Sequence, residues 1–352
     1  MKAKAVIGAS FGDEGKGLTV DYLCARGDGG VVVRFSGGAN AGHTVVTPEG
    51  ERHVFRTIGA GAFHGVPTFL SSFVSVNPIA LLLEGQQLER LGVRPEIYAS
   101  PECLVTTFAD IIINRRLEDA RNAGRHGSTG MGISETIERS NVPELRITLA
   151  DVFNGASLEA KVAEICDKYA RFRTGKPIVE PTMADGFLRA CQRLPDVVFP
   201  AGIGQCKDPI FEGSQGLLLD QDNQEFFPHV TRSHTGMKNV RVLCSQAGIS
   251  EIEPYYITRT YLTRHGAGPL PGEDPGLSFE DDTNAENGYQ GRMRFAPLDL
   301  RALGERIIRD AGSDCPARLV VTHRDQLEWT GPVPFLSSWG PSRSHEELHR
   351  AA

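Results

Sequence analysis

The chain has 352 residues, of which 40% are hydrophobic, so it can bury a large core. Its formal net charge of −7 at pH 7 argues against a general nucleic-acid surface, and no stretch approaches the roughly 18 consecutive apolar residues of a membrane span. The seven scattered cysteines form no C-x-x-C pair, so we expect free thiols in a reducing compartment and a cytoplasmic protein without nucleic-acid or membrane partners.

The first predicted elements are a short buried strand at 5–7 and a helix whose apolar spacing resumes at Leu18. Between them lies the run Gly-Asp-Glu-Gly-Lys-Gly at 12–17. Its glycines allow backbone N–H groups to approach a phosphate chain, and the helix N-terminus and Lys16 add positive charge. The spacing differs from the standard P-loop, because Gly17 stands where a hydroxyl would be. The run predicts an anion-binding loop, with an ordinary turn carrying solvated charges as the alternative.

A second predicted strand, at 30–35, runs into another glycine-rich segment. Ligands of open α/β sheets bind at the carboxyl ends of the strands. We therefore expect side chains from the two segments to converge on one crevice: Asp13, Lys16, Asn40 and His43.

The pattern of the chain as a whole predicts a single catalytic domain over 1–352. We expect the α/β class, with a mostly parallel central sheet flanked by helices. From about 78 to 205 the pattern is mostly helical, and we interpret this stretch as an insertion beside the sheet. Strand character returns at 209–211, 255–258 and 319–321, so the sheet is built from both ends of the sequence.

Five glycine-bearing segments follow one another along the chain: GDEGKG at 12–17, GGANAGHT at 37–44, GSTGMG at 127–132, FEGSQG at 211–216 and TRHGAGP at 263–269. GRMR at 291–294 and SWGPSR at 338–343 extend the series. Together they resemble the adenylosuccinate synthetase family over nearly the whole chain, which implies that family's P-loop-NTPase-like fold. The resemblance also implies a two-step ligation. A nucleoside triphosphate phosphorylates O6 of a 6-oxopurine nucleotide, and the amino group of L-aspartate then displaces that phosphate at C6.

The resemblance assigns the chemistry to three side chains and a metal ion. Asp13 is the candidate base for the purine N1 proton, and His43 would hydrogen-bond the reacting oxygen or phosphoryl group. Lys16 and Mg²⁺ would offset charge that builds on the transferred phosphoryl. The metal ligands would be Asp13 and the Gly42 carbonyl.

The same matching implies three sets of binding residues. The nucleotide set is Ser10, Asn40, Ser128, Thr129, Arg139, Gln215 and Thr231. The set for the phosphate donor, ATP or dATP, is Gly12, Glu14, Gly15, Lys16, Gly17, Gly42, Thr44, Asp325, Gly340 and Pro341. The aspartate set is Gln290, Gly291, Arg292 and Arg294, since arginine binds carboxylates bidentately. Taken singly, these residues have structural alternatives: turn or capping residues for Asn40 and Thr129, a semi-buried amide for Gln215, and a solvated pair for the two arginines.

Several positions depart from the family pattern: Ser10-Phe11 replaces Gln-Trp, Ala39 replaces histidine, Met131 replaces arginine, and Met293 and Phe295 interrupt a run of arginines. In the segment that reads guanine in GTP-using members, Asp325 persists but His323 replaces lysine. GTP is therefore not the expected donor.

These changes and the short chain resemble the bacteriophage branch that uses dGMP, with ATP or dATP, to make 2-amino-2'-deoxy-N6-succinyladenylate for 2-aminoadenine DNA. Guanine carries a 2-amino donor that needs an acceptor when buried, and Ser10 and Ser214 could supply one, although Ser214 could equally be a small spacer. Asp13 argues the other way, because several phage members lack that carboxylate.

We expect a ligase that takes dGMP, and the alternative is an ordinary adenylosuccinate synthetase that takes IMP, with GTP or ATP, in AMP biosynthesis. A nucleotide-binding module that has lost catalysis is a third hypothesis, but the retained Asp13, Lys16 and His43 argue against it. Members of the family are homodimers in which one subunit lends an arginine to the neighbour's nucleotide phosphate. We expect a homodimer here, with Arg139 as the candidate.

Overall fold

The computed structural model describes residues 2–281, 289, 291–313, 315–340, 342 and 346–348. Its strands are β1 (Lys2–Gly8), β2 (Val31–Arg34), β3 (His43–Val46), β4 (Arg52–Phe55), β5 (Thr68–Leu70), β6 (Ser75–Val76), β7 (Ile97–Ala99), β8 (Leu104–Val105), β9 (Val198–Pro200), β10 (Pro209–Gly216), β11 (Glu251–Arg259), β12 (Tyr261–His265), β13 (Met293–Pro297), β14 (Arg318–Thr322), β15 (Leu336–Ser338) and β16 (Glu346–Leu348). Its α-helices are α1 (Lys16–Ala25), α2 (Pro78–Arg90), α3 (Phe108–Arg121), α4 (Ile133–Ser140), α5 (Leu149–Phe153), α6 (Glu159–Glu164), α7 (Ala170–Thr174), α8 (Pro181–Arg193), α9 (Met237–Gln246) and α10 (Leu300–Ala311).

Ten of these strands form one sheet in the order β16-β15-β14-β11-β1-β10-β2-β5-β7-β9. Neighbouring strands are parallel except at the β15–β16 pair. β1 lies near the centre, where Val6 pairs with Glu212 of β10 on one side and with Tyr255 of β11 on the other. A mostly parallel sheet built from both ends of the sequence is therefore confirmed.

The central strands bury both of their faces, because successive side chains of a strand point to opposite sides. Val6, Val32 and Ile257 pack into a core that also contains side chains of α1, α2 and α3. Ile7 and Val33 pack on the other face, in a core that α9 and α10 share. This two-sided burial is typical of parallel α/β sheets.

Several helices begin at caps that the sequence encodes. Asn77 accepts a hydrogen bond from the backbone N–H of Ala80, with Pro78 in the first turn of α2. Thr107 and Asp110 form a capping box at the start of α3. α1 differs, because Gly15 precedes it with φ 95° and no side chain caps its first turn. Its N–H groups are thus left for another acceptor.

The stretch at 78–205 is mostly helical but also contributes strands. It contains α2 to α8, but its strands β7 and β9 extend the large sheet beyond β5. Each of the two strands has only three residues, and periodicity alone does not separate so short a run from a helix end. The assignment of the whole chain to one domain stays a prediction.

The described residues also show the state of the cysteines and the character of the helices. The seven cysteines are free thiols there, and five of them are buried. No helix in the described part of the chain is long and apolar enough to cross a membrane.

Candidate active site

The carboxyl ends of β1 and β10 open into a cleft of about 640 Å³. Its lining includes predicted site residues from several loops: Asp13, Asn40, Ser128, Thr129, Gln215 and Thr231. The parallel sheet explains this convergence, since it brings the loops that follow its strands to one edge. The structure thus brings together most of the predicted nucleotide set.

The glycine loop presents Asp13 from a constrained backbone. Gly12 and Gly15 have φ of 97° and 95°, and Asp13 itself has φ 57°, a left-handed conformation that is uncommon for a residue with a side chain. Arg259 donates from Nε to the Asp13 carbonyl at 2.5 Å. The Asp13 carboxylate is 30% exposed, and its Oδ2 lies 3.6 Å from Nε2 of His265, which also lines the cleft.

Lys16 opens α1 and is buried at 3% exposure. Burial lowers the pKa of Lys16, while the charges of Glu14, Asp13 and Glu212 act in the opposite direction. The charges of three carboxylates therefore favour its ammonium form against the effect of burial.

His43 is held by a buried carboxylate. Its Nδ1 lies 2.7 Å from Oε1 of Glu212, and Oε2 of Glu212 accepts the N–H of Ala60 at 3.1 Å and lies 3.8 Å from Nη1 of Arg34. Burial raises the pKa of Glu212, but His43 and Arg34 outweigh it and hold that pKa below its ordinary value. Burial lowers the pKa of His43. Because Nδ1 is paired with Glu212, only Nε2 of the imidazole is left to bind another group. This Nε2 is buried and has no hydrogen-bond partner among the described residues.

His43 lies beside the glycine loop. A Cβ on Gly17 would come within 2.6 Å of the His43 Cβ, so only glycine permits this approach. The charge of Lys16 acts on His43, and the charge of Asp13 acts on Lys16. His43 and Lys16 therefore lie at the glycine loop, but unlike Asp13 and Asn40 they are not among the residues that line the cleft.

Two predicted acceptors for a purine 2-amino group have hydrogen-bond partners inside the protein and do not line the cleft. The Ser10 hydroxyl accepts a hydrogen bond from Nη2 of Arg306 at 3.2 Å, and the Ser214 hydroxyl lies 3.1 Å from that of Ser36. Both serines are buried, and neither is among the cleft-lining residues. The structure does not support these two hydroxyls as contacts to the base.

Arg139 also needs a correction. Its side chain is fully buried, pairs with both carboxylate oxygens of Asp110 at 2.8 and 3.0 Å, and donates to the carbonyls of Leu145 and Val105. A fully buried guanidinium that makes four hydrogen bonds inside the protein cannot reach a neighbouring subunit. Sequence spacing alone gave no sign of this burial, because its partners come from other elements.

The predicted donor residues fall in different places. Gly12, Gly15 and Gly17 form the loop, Gly42 is exposed, and Thr44 is half-buried on β3. The Glu14 side chain is 2% exposed, and its Oε1 accepts the N–H of Ser10 at 2.7 Å, so a contact from Glu14 to the donor would have to come from its backbone. Burial raises the pKa of Glu14 to about 7.

The segment after β14 carries His323 and, two residues later, Asp325. His323 has φ 58°, and its Nδ1 lies 2.9 Å from the Thr322 hydroxyl. Burial, with the charge of Arg259 adding to it, lowers the pKa of His323 to about 3, so this side chain is neutral near pH 7. Asp325 is exposed, and Gly340 bonds through its N–H and carbonyl with the Ser338 hydroxyl. Pro341 lies outside the described residues.

The predicted aspartate residues lie on and before β13. Arg294 donates to Glu273 and to the Gly268 carbonyl, each at 2.6 Å, whereas Arg292 is exposed. The Gly291 carbonyl lies 3.4 Å from Nδ1 of His265. Gln290 lies outside the described residues.

Sequence reasoning assigned no role to three residues that the structure places here: Glu212, Arg264 and His265. Arg264 and His265 line the cleft, and Arg264 lies over the Phe11 ring at 4.5 Å. The signal for Glu212 was present, because a carboxylate inside an apolar strand must be paired when it is buried.

In this structure a glycine loop lies between the carboxyl end of a central parallel strand and the start of a helix. This arrangement is typical of α/β proteins that bind phosphorylated ligands. Residues 5–306 match the sequence model described as adenylosuccinate synthetase, and the chain belongs to that family of ligases.

Curated bacterial relatives agree with this assignment. The adenylosuccinate synthetase of Alkalilimnicola ehrlichii is 35% identical over 83% of this chain and 68% of its own length. That of Bordetella pertussis is 34% identical over 77% of this chain and 64% of its own length. The chain therefore spans about two thirds of the length of these relatives.

Two solved structures share the fold. Fully ligated adenylosuccinate synthetase from Plasmodium falciparum has a TM-score of 0.78 at 18% identity and covers 99% of this chain and 100% of its own. The cyanophage S-2L succinoaminodeoxyadenylate synthetase bound to dGMP, with dATP as an energy donor, has a TM-score of 0.64 at 17% identity, covering 99% and 95%. The predicted fold class is confirmed.

Proposed function

We propose that this chain joins L-aspartate to C6 of a purine nucleoside monophosphate, through phosphorylation of the purine O6 by a nucleoside triphosphate. The observation that carries the proposal is the Glu212–His43 pair beside the loop that holds Asp13 and Lys16. A carboxylate, an imidazole and an ammonium are thereby held next to the glycine loop, where a phosphate chain would bind.

Each of these groups has one task in the proposed reaction. Asp13 accepts the N1 proton, which increases electron density on O6 as that oxygen attacks the terminal phosphorus. His43, oriented by Glu212, directs Nε2 at the transferred phosphoryl or the reacting oxygen. Lys16 and the uncapped first turn of α1 stabilise the charge that develops on the phosphate chain.

Mg²⁺ is the metal that the family implies. The half-buried Asp13 carboxylate and the exposed Gly42 carbonyl fit it, because Mg²⁺ prefers hard oxygen ligands. When bound, the ion neutralises charge on the phosphates. The residues of the chain orient the substrates and move the proton.

IMP is the nucleotide that the comparisons favour over the dGMP expected from the sequence. The curated relatives are adenylosuccinate synthetases at 33–35% identity, and the hydroxyls of Ser10 and Ser214 contact Arg306 and Ser36 and do not line the cleft. dGMP is the second candidate, supported by Ala39 and by the cyanophage structure with dGMP and dATP. For the donor we propose ATP or dATP, because neutral His323 lacks the charge of the lysine in GTP-using members.

The test is to supply purified protein with L-aspartate and Mg²⁺, and with IMP or dGMP in every combination with ATP, dATP and GTP. Phosphate release and the mass of the aspartate adduct are measured. We expect an adduct with IMP and an adenine donor. Turnover of dGMP alone would replace IMP by the second candidate, and an absence of adduct in all arms would reject the ligase proposal.

A further inference from the structure

Beneath the glycine loop lies a buried polar network to which the proposed reaction gives no role. Arg306 of α10 donates from Nε to the Ala9 carbonyl at 3.0 Å and from Nη2 to the Ser10 hydroxyl at 3.2 Å. The Ser10 N–H in turn donates to Oε1 of Glu14 at 2.7 Å. Ala9, Ser10 and Glu14 are thus linked to a helix on the far side of the sheet.

The network fills the space under the loop closely. Ser10 and Glu14 are 3% and 2% exposed. A Cβ on Gly8 would come within 2.3 Å of Oε2 of Glu14, so the end of β1 has no room for a side chain there. The charges of Glu14 and Arg306 act on each other inside this packed region, which strengthens their mutual attraction relative to water.

The loop above the network has a backbone that needs support. Asp13 has φ 57°, and a non-glycine residue in such a conformation is strained unless its surroundings fix it. Arg259 of β11 holds the Asp13 carbonyl from one side. Arg306 donates hydrogen bonds to the Ala9 carbonyl and the Ser10 hydroxyl. Two arginines on different elements therefore fix the two ends of the turn that carries Asp13.

We propose that Arg306 is a positioning residue, which fixes the turn from Ala9 to Asp13 so that the Asp13 carboxylate faces the cleft. The inference rests on the proposed function for its effect on turnover. Its structural part, the bracing of the loop, does not depend on any reaction. Arg306 touches no substrate in this account and acts through Ser10 and the backbone.

The test compares Arg306→Met with Arg309→Met, which removes an exposed arginine from the same helix. Arg306→Lys keeps a charge and one donor, and Ser10→Ala removes only the hydroxyl that Arg306 contacts. Each variant is also made in an Asp13→Asn background. The measurements are kcat, KM for each nucleotide, melting temperature, and hydrogen exchange of the backbone amides at 8–17.

We expect Arg306→Met to lower kcat roughly 10- to 100-fold with KM changed less than about threefold, because small displacements of a reacting group are costly. Arg306→Lys and Ser10→Ala should lower kcat less. In the Asp13→Asn background Arg306→Met should have no further effect on kcat. Amide exchange at 8–17 should rise about tenfold in Arg306→Met and stay unchanged in Arg309→Met.

A fall in kcat that is equally large in both backgrounds would overturn the proposal, as would a rise in KM at constant kcat. Unchanged exchange at 8–17 would also overturn it. If Arg306→Met does not fold, the same comparisons with Ser10→Ala and Arg306→Lys decide. If the wild-type protein turns over neither IMP nor dGMP, the proposed function fails. The exchange measurement then tests by itself whether Arg306 fixes the loop.

Discussion

At the residue scale, the site depends on charge that has been taken out of water. Lys16, His43, Glu212 and Arg34 are each at most 5% exposed, and such burial is costly unless the charges are paired. The pairing here is directional: Glu212 connects Arg34, the Ala60 N–H and His43. One side of the imidazole is thereby fixed, and Nε2 is left to act.

The first prediction tests that pairing. Glu212→Gln removes the charge that orients His43, and we expect kcat to fall about a hundredfold with a much smaller change in nucleotide KM, since outer partners of a reacting group commonly contribute 10- to 100-fold. The matched control is Glu84→Gln, another buried glutamate, whose oxygens accept the N–H groups of Arg56 and Thr57 away from the cleft. Equal kcat in the two variants would show that Glu212 is only structural.

The second prediction concerns His323 and pH. Its pKa is about 3 in the folded protein against roughly 6.5 when unfolded, so its neutral form is favoured by folding. The stability that this difference gives is present above pH 6.5 and is lost as pH falls towards 3. Between pH 7 and pH 4 we expect the wild type to lose roughly 2–3 kcal/mol more unfolding free energy than His323→Gln.

Denaturant unfolding at the two pH values measures this loss. Other groups titrate in both proteins, so the difference between them isolates His323. If both proteins lose the same free energy, the imidazole is not buried neutral in the way that this account requires.

At the scale of elements, helices beside the cleft are connected by two ion pairs, one fully buried and one partly buried. Arg139 of α4 binds Asp110 of α3, and Arg173 of α7 binds Glu135 of α4 through two hydrogen bonds at 2.9 and 3.0 Å. These contacts connect three helices, and two of them, α3 and α4, flank the 127–132 loop in the sequence. The loop that would hold the nucleotide phosphate is therefore positioned by packing beside it.

The third prediction follows from the burial of Arg139. Arg139→Met leaves the Asp110 carboxylate buried without its partner, and we expect unfolding free energy to fall by about 3–5 kcal/mol. Nucleotide affinity should stay within about threefold below the melting temperature. Calorimetry and titration of IMP measure the two quantities, with the exposed Arg146→Met as the control.

A loss of subunit assembly or of nucleotide binding in folded Arg139→Met would restore the role that the sequence predicted for this arginine. A homodimer stays a prediction, without Arg139 as its crossing residue.

At the scale of the whole molecule, the sequence was sufficient where local pattern decides structure. β1, α1 and β2 could be predicted because glycine loops bound their apolar runs, and parallel topology then brings Asp13 and Asn40 to one edge. β7 and β9 could not, since three residues carry too little periodicity.

Side-chain partnerships depend on tertiary contacts, which spacing does not encode. Arg139 could be matched to a family position, yet Asp110 and the Leu145 carbonyl enclose it. Glu14 stands in the glycine loop, but its carboxylate turns inward to the Ser10 N–H. Motif matching located the cleft and did not determine which polar side chains face it.

The central claim is that the purine O6 becomes an oxygen of the released phosphate while Asp13 takes the N1 proton. The direct measurement uses IMP labelled with heavy oxygen at O6, incubated with ATP, Mg²⁺ and L-aspartate, and follows the label by mass spectrometry. We expect label in inorganic phosphate, in step with adduct formation, and a strongly reduced but measurable rate of that transfer in Asp13→Asn with nucleotide binding retained. Adduct formed with unlabelled phosphate, or undiminished transfer in Asp13→Asn, would contradict it.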